Sequence, residues 1–129
     1  MKKKVLLVDD EKSFTNLLRL NLEQTGNYEV RVVNWSEDAL PAAREFKPDI
    51  VLLDIIMPRM PGGNVIAQFE ADPGLKNMPI VFLTAAVQRS RLEEMDGIIS
   101  DHPCLAKPSS MEEIIAMIER QTAEKPVGQ

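Results

Sequence analysis

The sequence predicts an α/β fold: five β–α units building a doubly wound, five-stranded parallel sheet with helices on both faces. Three observations carry this reading. Short apolar runs alternate with longer stretches of helical spacing along the whole chain, a (βα)5 pattern. Two of the runs, Ile50-Val51-Leu52-Leu53 and Ile80-Val81-Phe82-Leu83, are continuously apolar, as strands buried on both faces should be. A third, Tyr28-Glu29-Val30-Arg31-Val32, alternates in character, as an edge strand with one wet face should.

The elements follow in order. A first strand is expected over residues 4–8, stopping on the adjacent acids Asp9 and Asp10. Phe14, Leu17, Leu18 and Leu22 then form one face of a helix, and Gly26 stands where a helix C′ residue belongs. The second strand covers 29–33. Ser36 marks the next helix start, but Pro41 would lie beyond a first turn begun there, so a late start or a kink is expected. The third strand covers 50–53, the third helix begins at 62–64, and the fourth strand covers 80–83. A weaker fourth helix is expected over 89–95, with Met95, Gly97, Ile98 and Ile99 in its pattern. A brief fifth strand at 104–106 precedes a last helix whose face is Met111, Ile114, Ile115 and Ile118. Ser110-Met111-Glu112-Glu113 reads as its capping box. An edge position for the second strand suits the flavodoxin-like order 2-1-3-4-5, in which ligands bind at the carboxyl ends of the strands near the first and third.

At 129 residues the chain fits one domain, expected over 1–123, with a polar, flexible tail at 124–129 and no effector domain. Apolar residues make up 44% and charged residues 27%, ordinary for a globular protein. Fifteen basic against 20 acidic side chains leave a net charge of −5, which argues against direct nucleic-acid binding. The lone Cys104 cannot form an internal disulfide. The basic start Met1-Lys2-Lys3-Lys4 is followed by an apolar run too short for a signal peptide, and no window approaches the about 20 apolar residues of a membrane span. A cytoplasmic protein without membrane insertion is the expectation.

The chemistry collects where the strands end. The first ends in Asp9 and Asp10, the third in Asp54, the fourth in Thr84, and the fifth runs into Lys107-Pro108. Each alone has an ordinary role, as a helix cap, a turn former or a solvated loop lysine. In a parallel sheet all five share one edge, and that coincidence is informative. Three neighbouring carboxylates cannot all stay ionised cheaply without a cation. An oxygen-only ligand set suits Mg²⁺, whereas His102 and Cys104 stand alone and offer no softer metal a cluster. A carboxylate beside hydrated Mg²⁺ is a phosphoryl acceptor, with a lysine to neutralise the transferring oxygens and the Thr84 hydroxyl to bond the group once in place.

The stretches "VLLVDDEK", "KPDIVLLDIIMPRMPG", "PIVFLTA" and "LAKP" stand in one order and spacing, and with them the chain resembles the receiver (REC) domain of two-component response regulators over essentially its whole length. The resemblance implies Asp54 as phosphoacceptor, and Asp9 and Asp10 as the acidic pair at the Mg²⁺ site. It also implies the backbone carbonyl of Ile56 as a further ligand, Thr84 as the switch hydroxyl, Lys107 as the phosphoryl-pairing lysine, and a cis Lys107–Pro108 bond. A histidine kinase or histidine phosphotransfer protein would donate the phosphoryl group, and a downstream protein would read the switched surface. Such a domain assists its own phosphorylation and dephosphorylation, and is a signalling module rather than a turnover enzyme.

Departures from the family pattern bear on output. The aromatic residue usual three positions before the lysine is Cys104, read as a small buried strand residue in preference to a redox switch. Ile98 and Ile99 lie on a face that normally meets partners, and are read as core in preference to a docking patch. Ile56 and Ala86 occupy positions the family uses to tune phosphoryl lifetime. Trp35, after the edge strand, is expected to pack at the strand end. Two other classes fare poorly. A haloacid-dehalogenase-type hydrolase wants a second Asp where Ile56 stands, and a flavodoxin-like electron carrier wants a phosphate loop where "DDEKSF" would repel the phosphate. A receiver-shaped scaffold that binds a partner without phosphorylation is the remaining alternative.

Overall fold

The computed structural model describes residues 2–55, 62–85, 98–99 and 102–123. Its elements are β1 (Lys3–Val8), α1 (Lys12–Gln24), β2 (Tyr28–Val33), a 3-10 turn (Ser36–Asp38), α2 (Ala39–Phe46), β3 (Ile50–Leu53), α3 (Gly62–Ala71), β4 (Ile80–Thr84), β5 (Ile98–Ile99), β6 (His102–Ala106) and α4 (Met111–Gln121). They form a sheet of order β2-β1-β3-β4-β6-β5. The first five of these strands are all parallel, which is the expected 2-1-3-4-5 arrangement with β6 as its fifth strand.

One expectation is corrected at the far edge. Ile98 and Ile99 are not helical; they pair antiparallel with β6, opposite Pro103 and His102. Two β-branched residues favour extended backbone, and the last parallel strand otherwise presents an open row of hydrogen-bonding groups. The helix expected over 89–95, Ala86 and the tail 124–129 fall outside the described residues.

The central strands feed two cores. Leu6 and Val8 of β1, Val51 and Leu53 of β3, and Phe82 of β4 face α2 and α3, where Ala43, Phe46 and Phe69 meet them. Their alternates Val5, Leu7, Ile50, Leu52, Val81 and Leu83 face α1 and α4, against Leu18, Leu22, Ile114 and Ile118. This two-sided burial is why the central runs are apolar without a break.

Helix α1 corrects a second expectation. Its buried stripe is Thr15, Leu18 and Leu22, whereas Leu17 is 60% exposed. Consecutive residues lie about 100° apart around a helix, so Leu17 and Leu18 cannot share a narrow buried face. The boundary signals held better. Gly26 takes φ +80°, the left-handed conformation that favours glycine after a helix end. Helix α2 does start late, after the 3-10 turn, so Pro41 sits in its first turn, where a missing N–H costs no intrahelical bond. At α4 the Ser110 Oγ accepts from the Glu113 N–H at 3.1 Å, while Glu113 Oε1 accepts from the Ser110 N–H at 3.1 Å. At the opposite end of the sheet from the strand-terminal acids, Tyr28 Oη donates to Glu119 Oε2 at 2.5 Å and Lys3 Nζ to Glu119 Oε1 at 2.9 Å. These two contacts strap α4 to the starts of β1 and β2.

Candidate functional site

Backbone pairing carries the central strands to the residues that close them. The Asp9 N–H donates to Val33 O and the Asp54 N–H to Val8 O, each at 3.0 Å, so the two aspartates leave adjacent strands side by side. The Lys107 N–H donates to Thr84 O at 2.8 Å, which aligns the ends of β4 and β6 in the same way. Asp9, Asp54 and Thr84 are buried and Asp10 is half-buried. One carboxylate oxygen from each of Asp9, Asp10 and Asp54 lies within 4.8 Å of the others. The sequence expectation that these ends converge is met for Asp9, Asp10, Asp54 and Lys107. Thr84 closes the neighbouring strand, and Ile56 lies outside the described residues.

Lys107 reaches into this group of acids. Its Nζ stands 2.5 Å from Asp9 Oδ2, 3.4 Å from Glu11 Oε1 and 3.8 Å from Asp54 Oδ2. Asp9 is further fixed by the Glu11 N–H, which donates to its Oδ1 at 2.9 Å, and by Asn34 Nδ2, which donates to its backbone oxygen at 2.7 Å. Burial pushes the Asp9 carboxyl above its ordinary value, although the bonds from Lys107 and the Glu11 N–H oppose it. Burial also disfavours the Lys107 ammonium, but the hydrogen bond and charge of Asp9, with Asp54 and Glu11, outweigh it and hold the lysine charged.

Three carboxylates, Asp9, Glu11 and Asp54, therefore lie within 4 Å of the Lys107 ammonium, and Asp10 adds a fourth acid to the cluster. The clustered oxygens of Asp9, Asp10 and Asp54 are the hard donors Mg²⁺ prefers, and the uncompensated negative charge gives it a reason to bind. The residues present fit the ion.

The family of response regulator receiver domains matches this chain over residues 5–119. The chain belongs to that family. Among similar curated proteins, the alkaline phosphatase synthesis transcriptional regulatory protein PhoP of Bacillus subtilis is 35% identical, over 92% of this chain and 48% of its own length. The DNA-binding response regulator MtrA of Mycolicibacterium smegmatis is 32% identical, over 98% of this chain and 54% of its own length. The chain thus spans about half the length of the curated relatives it matches. Among solved structures, the chemotaxis protein CheY4 of Vibrio cholerae superposes with a TM-score of 0.79 at 26% identity, covering 94% of this chain and 99% of its own.

Further features complete this receiver domain's site. The Lys107–Pro108 bond is cis, as the resemblance implied. Glu11 and Phe14 were absent from the sequence reading of the site, yet Glu11 approaches Lys107 and the Lys107 Nζ lies 4.2 Å from the Phe14 ring centroid. The available signal was position: Glu11 extends the acidic run, and Phe14 follows Asp10 by about one helical turn. Trp35, expected to pack at the strand end, is 46% exposed. His102 stands at the other end of β6, edge-on to Phe82 with centroids 5.9 Å apart and its Nε2 3.8 Å from Glu70 Oε1, away from the acids.

Cys104 is buried, with its Sγ 3.9 Å from Leu105 O, and burial pushes its thiol up to about 11. It is a packed strand residue with little thiolate at neutral pH. Modification by a disulfide reagent near pH 8 is expected to run at least about a hundredfold slower in the native domain than in urea. Comparable rates would restore the redox reading. Because the folded thiol titrates above its unfolded value of 9.0, the stability it lends is complete below pH 9.0 and is lost as pH rises through about 11.

Proposed function

We propose that this receiver domain takes a phosphoryl group from a histidine kinase or histidine phosphotransfer protein onto Asp54, and that the modification switches a protein-interaction surface. The observation that carries this reading is the meeting of Asp9, Asp10 and Asp54 with Lys107 at the carboxyl edge of the sheet. An Asp54 oxygen forms the new bond to phosphorus as the donor's phosphorus–nitrogen bond breaks and the imidazole leaves. Lys107, 3.8 Å from Asp54 in the unmodified domain, pairs with the phosphoryl oxygens, and the Thr84 hydroxyl donates to one of them. Asp9, Asp10 and Asp54, with the Ile56 carbonyl that the resemblance implies, would hold Mg²⁺, which would offset charge on the transferring oxygens. Domain bounds of 1–123 and an output by protein contact belong to the same proposal. So does a cytoplasmic setting, in keeping with the lack of any helix among the described residues long and apolar enough to cross a membrane.

A second reading, a receiver-like scaffold that binds its partner independently of phosphorylation, draws on Cys104 standing where the family's aromatic residue usually lies. One experiment separates them: intact-mass spectrometry after incubation with Mg²⁺ and a small-molecule phosphodonor. A single phosphoryl adduct is expected, absent in EDTA and absent in Asp54→Asn. No adduct, together with no beryllofluoride binding, would refute the acceptor role and leave the scaffold.

A further inference from the structure

We infer that Phe14 is a positioning residue, whose ring holds the Lys107 ammonium against Asp9 and so sets how strongly a divalent cation must compete for that carboxylate. The inference rests on the metal-assisted reading above and deepens it. Lys107 is 10% exposed, so its ammonium has lost most of its water. Its polar contacts are the carboxylates of Asp9, Glu11 and Asp54, while the Phe14 ring centroid stands 4.2 Å away.

An aromatic face attracts a cation through its quadrupole, yet carries no net charge and accepts no strong hydrogen bond. It therefore steadies the ammonium without neutralising it and without occupying an N–H that a phosphoryl oxygen could later use. An aliphatic side chain at the same place could pack, but would give the ammonium nothing. The ring is itself held, because Phe14 packs against the core beneath α1 and α4. It rises in the first turn of a helix that starts directly after Asp10 and Glu11, so its distance from the acids is set by local backbone.

Asp9 then has two suitors. Its Oδ2 accepts from Lys107, and it is one of the three carboxylates gathered for a metal ion. Whatever stabilises the ammonium in place makes the divalent cation bind less tightly. Removing the ring should thus strengthen Mg²⁺ binding, the reverse of what general damage to the site would do.

The test uses Phe14→Leu, Phe14→Tyr, Lys107→Met and the Phe14→Leu/Lys107→Met pair, each checked for folding by thermal melting; Phe14→Met replaces Phe14→Leu should that variant not fold. In metal-free protein, NMR of the lysine ε-methylenes should show Lys107 shifted upfield by the ring, with the shift kept in Phe14→Tyr and lost in Phe14→Leu. Calorimetric titration should show Mg²⁺ binding about three- to tenfold tighter in Phe14→Leu and within about twofold of the original in Phe14→Tyr. In the Lys107→Met background the Phe14 substitution should have no effect, since the ring acts through the lysine. No upfield shift, unchanged Mg²⁺ affinity in folded Phe14→Leu, or an equal change in both backgrounds would overturn the inference while leaving the metal site standing. An unsubstituted chain that binds no Mg²⁺ would overturn both.

Discussion

Lys107→Met is expected to destabilise the metal-free domain by about 3 kcal/mol near neutral pH, the usual scale for leaving one member of a buried ion pair behind. Asp9 is 1% exposed and Lys107 10%, so the variant leaves a largely buried carboxylate without its partner. The same variant should form the phosphoryl adduct about a hundredfold more slowly, having lost the cation that meets the transferring oxygens. Two conditions should restore its stability. One is Mg²⁺, which at about a hundred times its dissociation constant adds about 2.7 kcal/mol to a fold it binds. The other is acid. Asp9 already titrates above the ordinary 3.8 of an aspartate because it is buried, and losing Lys107 raises it further. The folded state then binds more protons than the unfolded one between 3.8 and the raised value, so stability falls as pH rises through that window and returns as pH is lowered. Urea melts with EDTA or Mg²⁺, at neutral and mildly acidic pH, measure all three effects. Unchanged stability in EDTA at neutral pH would mean that the lysine offsets no charge in the pocket.

The largest loss without chemistry should come from Phe69→Ala. This side chain is 1% exposed and packs α3 onto the face of the sheet formed by Val51, Leu53 and Phe82. Truncating a buried phenylalanine removes its transfer energy and leaves a cavity, together about 3–5 kcal/mol. The urea midpoint should fall with the denaturant slope unchanged. Leu17→Ala is the matched control, because at 60% exposure it should change stability by less than about 0.5 kcal/mol. Equal losses would mean that Leu17 is covered in solution.

That contrast marks where sequence reading stops. Pattern identified the strands of the parallel sheet because burial on both faces leaves a signal of several consecutive residues. It identified Gly26 and the Ser110–Glu113 box because each end signal has its own backbone requirement. The strand-end acids and Lys107 were legible because a parallel sheet dictates that its ends share an edge. Leu17 was misread because a leucine beside Leu18 fits a helical stripe on composition, and only the direction of burial tells them apart. The pairing of Ile98–Ile99 with β6 depends on a neighbour, which a local pattern does not contain. Phe14 was legible as apolar but not as a ring under an ammonium, since that contact joins residues 14 and 107.

The strap of Lys3, Tyr28 and Glu119 has a consequence for how the chain assembles. Glu119 lies 116 residues along the chain from Lys3 and 91 from Tyr28, so both contacts close very long loops. During synthesis β1 and β2 emerge early, whereas the carboxylate that accepts the Tyr28 hydroxyl arrives only with α4. Until then that hydroxyl has to keep water, because burying it alone would forfeit a hydrogen bond. The early strands can pair as they appear, but the end where they begin cannot close until α4 docks. Non-local closure of this kind slows folding. A chain short of α4 therefore leaves Tyr28 without its carboxylate and keeps one end of its sheet wet.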